Sequence, residues 1–542
     1  MIKKIFHLFF GKIPNSAFVL LASEKIAKYF KSESSANASK TIAVEVINDQ
    51  LYFGFTAALL EDILRDKAQN VVVSALVVRS VNASFGFTFI SELKRSFLLN
   101  WLVMRQWIAA YGSLINEVGF RASSLQTLIG DVKDIYTAYL YWASFRNGDL
   151  SKRYDEFEIE GVLCGDLIID TYLRYKPSPT FNPNDIFVLR LIWQAIKDIK
   201  KVRQYFKLRK PAVYFTTYST YIEHGISARV AIEQKIPVFS FGNFFQFGLQ
   251  LSSNHFRHTP DTKLYKNIIN QLSEQELAKY LKQAESILEF RMSGGIDNAT
   301  GYMRQSAYQE KDILDLDTDY LNSLNGAVVI FLHDFYDSPH VWDDFIFTDF
   351  WEWLIKTIEI LRREEINFFI KPHPNQINDN AIKVLREKYP DLKWLNSAYN
   401  NRILVGAGIV CGVTVYGTVA HELAYLGVPS IGAALHVHQA FSFCRQAKTI
   451  SEYESLIVNC RSHYLPKDAL KRQALEFVVA HNSLYDDESR ELSEAYMNYW
   501  VSSAKATSIS ECEKAMEALA TLRATTGYKK FITKIKRLIG ES

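Results

Sequence analysis

Two blocks of the chain alternate apolar runs with amphipathic stretches. In the first, TIAVEVIND (41–49) and NVVVSALVV (70–78) are near-continuous β-branched and apolar runs, the pattern of strands buried on both faces. YFGFTAALLEDILRDK lies between them with helical spacing, and long aromatic helices are expected around FLLNWLVMRQWIAAYGSLI. AVYFTTYS (212–219) and IPVFSFG (236–242) then read as strands, with IEHGISARVAIEQK as the helix between. The second block begins with GAVVIFLHDFYD (326–337), a strand with its exit loop. The helix DFWEWLIKTIEILRREE, the strand INFFI and its exit loop KPHPN follow. GAGIVCGVT (406–414) and VPSIG (428–432) are further strands around the helix GTVAHELAYLG.

Strands alternating with helices predict parallel sheets covered on both faces. The expected fold class is α/β: two Rossmann-like, doubly wound domains facing a cleft, with extra N- and C-terminal helices. The expected boundaries are a helical extension over 1–40, a first Rossmann-like domain over 41–254 and a polar helical connector over 255–320. A second Rossmann-like domain spans 321–484, and C-terminal helices with a basic tail span 485–542. Within the connector, DLDTD (315–319) has the look of a cation loop, but Tyr320 stands where an EF-hand needs glycine, so it reads as a solvated acidic linker.

At 542 residues and 48% hydrophobic composition the chain is too long for one core. A net charge of +3 gives no global reason to expect nucleic acid as a partner. Cys164, Cys411, Cys444, Cys460 and Cys512 are dispersed, with no CxxC pair, which fits a reducing cytosol. No apolar run reaches the ~18–20 residues of a membrane span. The start, MIKKIFHLFFGKIPNSAFVLLASEK, is broken by Lys12 and lacks a cleavage pattern, against a secretion signal. The tail, YKKFITKIKRLIGES, gathers Phe531, Ile532, Ile535, Leu538 and Ile539 on one helical face, with Lys529, Lys530, Lys534, Lys536 and Arg537 around it. Such a helix lies on anionic membranes or docks on its own protein. The first reading makes the protein cytoplasmic and peripheral on the inner membrane.

Candidate chemistry gathers where strands end, since ligands of such sheets bind beyond the carboxyl ends of the strands. In KPHPN, Pro372 and Pro374 stiffen the loop and aim His373, with Lys371 adding charge and Asn375 a hydrogen-bonding group. This suits a phosphate or nucleotide; the alternative is a rigid turn. In CGVTVYGTVAHELAYLGVPSIG (411–432), Thr414, Gly417 and Thr418 lie at a helix start suited to phosphate, and Glu422 one turn on could reach a ribose hydroxyl. The alternative is an ordinary capped helix.

Together, His373-Pro374 and the Thr414/Thr418 pair resemble the nucleotide-binding half of GT-B glycosyltransferases. They look most like the bacterial Kdo transferases of capsule and O-antigen assembly, and more distantly the bacterial sialyltransferases. The resemblance covers about residues 325–445, is weaker over 160–245, and has threonines where the family carries serines. It implies a CMP-activated ulosonic acid such as Kdo as donor substrate, a glycan or glycolipid acceptor, and neither cofactor nor metal. In FLHDFYDSPH (331–340), His333, Asp334, Asp337 and His340 crowd one strand exit. His333 joins the expected nucleotide-binding set. The resemblance implies an aspartate nucleophile here: Asp337, whose direction the turn DSPH should fix, with Asp334 second. An Asx-turn that merely closes the loop is the alternative.

In the first block, Tyr218, Tyr221, Glu223 and His224 follow a strand, and Glu223 or His224 could be the base that activates an acceptor hydroxyl. Arg229 could meet a sugar carboxylate or a nearby acid; Asp166 and Asp170 are further acceptor-binding candidates. No HExxH, Walker loop, GxSxG or zinc-spaced cysteine set occurs. Two other readings remain open: a CDP-polyol phosphotransferase of teichoic-acid-like capsules, and a non-catalytic GT-B scaffold in a polysaccharide assembly complex.

Overall fold

The computed structural model describes residues 40–46, 50–64, 71–77, 125–148, 156–176, 178–243, 246–295, 308, 318–373, 380–397, 399–462, 465–506 and 508–541. The expected N-terminal extension, the aromatic stretch around 97–115 and most of the acidic segment 315–319 lie outside these residues. The chain divides into two compact units. The first comprises residues 1–175, 182–258 and 491–542, the second residues 176–181 and 259–490.

The first unit is built on β1 (Lys40–Val46), β2 (Val71–Val77), β5 (Val213–Thr216), β6 (Val238–Ser240) and β7 (Leu249–Leu251). Their order is β2-β1-β5-β6-β7, parallel throughout except for β7, which runs antiparallel to β6. Two short strands, β3 (Glu158–Ile159) and β4 (Val162–Leu163), form a separate hairpin. Ile42, Val44, Val213, Phe215 and Phe239 are buried, as the continuous apolar runs require. The helix Tyr221–Glu233 makes the crossover from β5 to β6.

The C-terminal helices belong to this unit rather than standing apart. In the helix Thr526–Glu541, Phe531, Ile532, Ile535 and Ile539 are buried in one cluster with Phe55, Phe239 and Phe241. Tyr499 and Tyr496 donate from their hydroxyls to the carbonyls of Leu51 and Phe241, each at 2.6 Å. The apolar face therefore covers the protein's own core, the docked alternative of the two readings of this helix. Periodicity reveals that a helix has an apolar stripe, not what covers it. Among the described residues no helix is long and apolar enough to cross a membrane.

The second unit carries β8 (Val328–Phe331), β9 (Phe368–Lys371), β10 (Cys411–Val413), β11 (Ser430–Gly432) and β12 (Cys444–Gln446). The order is β12-β11-β10-β8-β9, and every pairing is parallel. The strand expected over 406–414 is shorter, because residues through Gly406 finish the helix Asn401–Gly406. The stretch 255–320 is more than a connector. Its helices Thr262–Gln271 and Glu274–Met292 bury Ile268, Ile269, Leu277 and Leu288 in one cluster with Phe443, Phe477 and Val478 of the second unit. A surface helix reads as polar by composition even when one stripe of it closes a core.

Candidate functional site

Three neighbouring parallel strands of the second unit end at one cavity of about 320 Å3, at the lower end of the roughly 300–1,000 Å3 usual for small-molecule sites. The exit of β8 brings His333, Asp334 and Asp337; β9 ends on Lys371 and leads into His373; beyond β10 come Thr414, Gly417, Thr418 and Glu422. All nine were singled out in the sequence. Pro374 and Asn375 lie outside the described residues. The cavity wall also includes Arg291, Tyr308, Asn401, Tyr416 and His436, which were not.

His333 and Thr414 form the first part of the site. The Val415 N–H donates to His333 Nε2 at 3.2 Å, so that nitrogen accepts and the ring proton sits on Nδ1. The Thr414 hydroxyl lies 3.0 Å from the same nitrogen and accepts from the Gly417 N–H at 3.2 Å. Burial, with some repulsion from His373, holds the His333 imidazole down to about 3. His333 is thus a neutral brace for the Thr414 loop, stacked on Phe350 with ring centroids 5.0 Å apart. Gly417 is needed for that closure, since an added Cβ would stand 2.8 Å from Thr414 Oγ1. The helix Val419–Tyr425 has only seven residues, and the Thr418 hydroxyl makes no capping bond.

The second part is a chain of charged and polar groups. Lys371 is 4% exposed, and its Nζ donates to the Tyr399 carbonyl at 2.6 Å and to Asn401 Oδ1 at 2.7 Å. The Asn401 amide donates to the Tyr308 hydroxyl at 3.1 Å, which donates to Glu422 Oε2 at 2.6 Å. Arg291 Nη1 lies 3.5 Å from Glu422 Oε1 and 3.0 Å from His421 Nε2. Burial pushes the Lys371 amine down to about 8, against the pull of Glu422. His373 is half-buried; burial and Lys371 outweigh Asp334 and leave its imidazole below the ordinary value. Asp334 Oδ1 accepts the Tyr336 N–H at 3.2 Å, and Asp337 Oδ1 accepts the Ser338 N–H at 2.9 Å. Asp334 thus closes an Asx-turn, whereas the Asp337 bond to its adjacent residue closes none, and both carboxylates line the cavity.

The remaining candidates belong to the first unit. Glu223 and His224 are both buried there; the Tyr175 hydroxyl donates to Glu223 Oε1 at 2.8 Å, and His224 Nδ1 lies 2.6 Å from Glu45 Oε1. Arg229 meets an acid of its own unit, donating to the two Asp166 oxygens at 2.7 and 2.5 Å. That pairing engages Asp166 inside the unit, with Arg257 a further 3.4 Å away, instead of leaving it for an acceptor. Asp170 is buried beside it, 2% exposed. Glu45 was missed, although a lone acid inside the apolar run of β1 was the signal that could have found it.

No family profile matches the chain, and the search of curated proteins found no match. Among solved structures, UDP-GlcNAc 2-epimerase from Neisseria meningitidis bound to UDP-GlcNAc aligns with 82% of this chain and 100% of that chain, at 9% identity and a TM-score of 0.23. A likeness that slight says nothing about chemistry; the α/β fold stands on the two sheets themselves.

Proposed function

We propose that the second unit binds a nucleotide sugar and that the protein is a glycosyltransferase whose two α/β units are the halves of a GT-B enzyme. The observation that supports this best is the Lys371–Asn401–Glu422–Arg291 chain at the carboxyl ends of β8, β9 and β10. A buried amine suits a phosphate, and a carboxylate held by hydrogen-bond donors suits ribose hydroxyls. On this reading the donor is a CMP-activated ulosonic acid such as Kdo and the acceptor a growing surface glycan. Asp337, or else Asp334, attacks the anomeric carbon, and Glu223 or His224 takes the acceptor proton. Lys371, with His373 beside it, meets the charge of the departing phosphate.

Thermal unfolding with CMP, CDP, UMP and UDP tests the nucleotide reading. A hundredfold excess over Kd should stabilise by roughly 2.7 kcal/mol. CMP is expected to give the largest shift, and no shift with any of the four would end the proposal. Arg291, a second buried cation on the same cavity, favours the CDP-polyol phosphotransferase as the second reading. A shift with CDP that exceeds the CMP shift would select it.

An anionic membrane surface is proposed as partner only for the polar side of the last helix, where Lys529, Lys530 and Lys534 are exposed. Deleting 525–542 should unfold the first unit, because it removes Phe531, Ile532, Ile535 and Ile539 from its core. Charge reversal of those three lysines should instead leave the fold intact and abolish sedimentation with phosphatidylglycerol vesicles, an association that fades with salt. Unchanged sedimentation would move the contact elsewhere on the protein.

A further inference from the structure

β11 lies next to β10 in the second unit, and the chain beyond its carboxyl end brings His436 to the same cavity. The backbone holds this segment in place: the Leu435 N–H donates to the Asp343 carbonyl at 2.7 Å, and the Ile346 N–H to the Ala433 carbonyl at 3.3 Å. His436 then caps a short 3-10 turn, Val437–Ala440, with its own side chain, Nδ1 accepting the His438 N–H at 3.1 Å. An accepting Nδ1 carries no proton, so the proton of the neutral ring sits on Nε2. Burial, reinforced by His438, His481 and His333, holds this imidazole well below its ordinary 6.5. The ring is therefore a fixed N–H donor without charge.

That donor is left over. His436 is 8% exposed, and its ring lines the cavity. Nε2 meets no acceptor among the described residues, yet it is not sealed in the core as the unpartnered His438 Nδ1 is. The neighbouring imidazoles have no lone pair to spare. Arg291 can only donate, so His421 Nε2 accepts from it at 3.0 Å and the His421 proton sits on Nδ1. That proton goes to His438 Nε2 at 3.1 Å. The accepting nitrogen of His333 is taken by the Val415 N–H. A buried donor without an acceptor is costly, so one on a cavity wall points to a ligand atom that accepts from it.

The wall around this donor is aromatic. Trp342 meets the His436 ring edge-on with centroids 4.2 Å apart. Tyr416 lies within 15° of parallel to it, with centroids 6.5 Å apart, and is anchored by its hydroxyl, which donates to the Ser338 carbonyl at 3.0 Å. The amine of Lys371 suits a phosphate and the carboxylate of Glu422 a ribose. An uncharged donor among aromatic rings suits the remaining part of a nucleotide, a flat base with acceptor atoms on its edge.

We propose that His436 is a specificity-determining residue that reads the base: its Nε2–H donates to a carbonyl oxygen or ring nitrogen of the base edge, with Trp342 and Tyr416 as the apolar walls. The inference rests on the nucleotide reading above and concerns the second unit alone. Cytosine and uracil both offer such an acceptor, so the donor separates a nucleotide from its sugar phosphate without a base.

The test is calorimetric titration of the full chain at one neutral pH. It compares whichever of CMP, CDP, UMP and UDP the wild type binds best with ribose 5-phosphate. His436→Asn keeps an oxygen where Nδ1 stood, so the turn stays capped, but it has no atom at Nε2. It should weaken the nucleotide by about tenfold and leave ribose 5-phosphate unchanged. His436→Gln returns an amide N–H near the lost donor and should recover most of that loss. Should His436→Asn fail to fold, His436→Phe keeps a ring against Trp342 without a donor, and the same tenfold loss is expected of it. Nucleotide affinity equal to the wild type in the variant lacking the donor would overturn this inference alone. So would an equal loss with both ligands, which would make His436 a merely structural residue. A wild type that binds none of the four nucleotides would instead overturn the nucleotide reading beneath it.

Discussion

Lys371→Met is expected to weaken CMP binding by about thirtyfold to several thousandfold and to remove its alkaline limb. Removing one partner of a buried, hydrogen-bonded charge pair costs about 2–5 kcal/mol, and each ~1.4 kcal/mol is tenfold in affinity. Methionine nearly matches the lysine stem, so the strand end keeps its packing. Asn401 Oδ1 and the Tyr399 carbonyl would lose their donor, a cost of about 1–3 kcal/mol each in stability. The pH signature separates the amine's charge from its bulk. In the free protein burial sets the amine at about 8, and a bound phosphate would raise that value. Binding above about pH 8 must then take up a proton, so wild-type affinity should fall as pH rises past that point. The stability sign is opposite. The unfolded chain keeps this proton to about 10.5 and the folded chain only to about 8, so stability rises with pH across that window. Calorimetric titration of both proteins with CMP across this pH range decides the matter. Equal affinity and the same pH dependence would remove Lys371 from the phosphate site.

Asp337→Asn should bind CMP as the wild type does and lose turnover by something on the order of 10⁴-fold, the scale seen when one member of a catalytic set is removed. A ulosonic acid donor has a quaternary anomeric carbon beside a carboxylate, so departure of the phosphate leaves an oxocarbenium-like centre. A carboxylate on one face can stabilise that charge and then capture it covalently. Asp337 is exposed on the cavity rim, and the Ser338 N–H on its Oδ1 sets its direction. Asp334 is half-buried, bonded to the Tyr336 N–H and attracted to His373, which suits it better to tuning that imidazole. Intact-mass measurement of wild type with a slow donor should show a one-sugar adduct on a peptide containing 331–340. An adduct on Asp334 would correct the residue and keep the mechanism. Inverted product stereochemistry with no adduct would end double displacement and leave Asp337 as a turn residue.

The strands and their exit loops were legible in the sequence because their signals are local. Continuous β-branched runs mark buried parallel strands, and polar groups just past a run mark the ligand side of the sheet. That logic reached Lys371, His373, Thr414 and Glu422, and one cavity gathers them. Their working contacts were not legible, because these join distant parts of the chain. Lys371 and Asn401 are 30 residues apart, Arg291 and His421 are 130, and Glu45 and His224 are 179. No periodicity or spacing rule reaches so far. The same holds for covering surfaces: the basic tail and the supposed connector both showed their amphipathic stripes, and only packing decided that each stripe closes a core. The sequence by itself therefore determined the α/β alternation and which residue types stand at the strand ends. Tertiary structure decided which of those groups are desolvated and paired. Desolvation and pairing set the charge of Lys371, the neutrality of His333 and the orientation of His224, and these follow from neighbours that only the folded chain supplies.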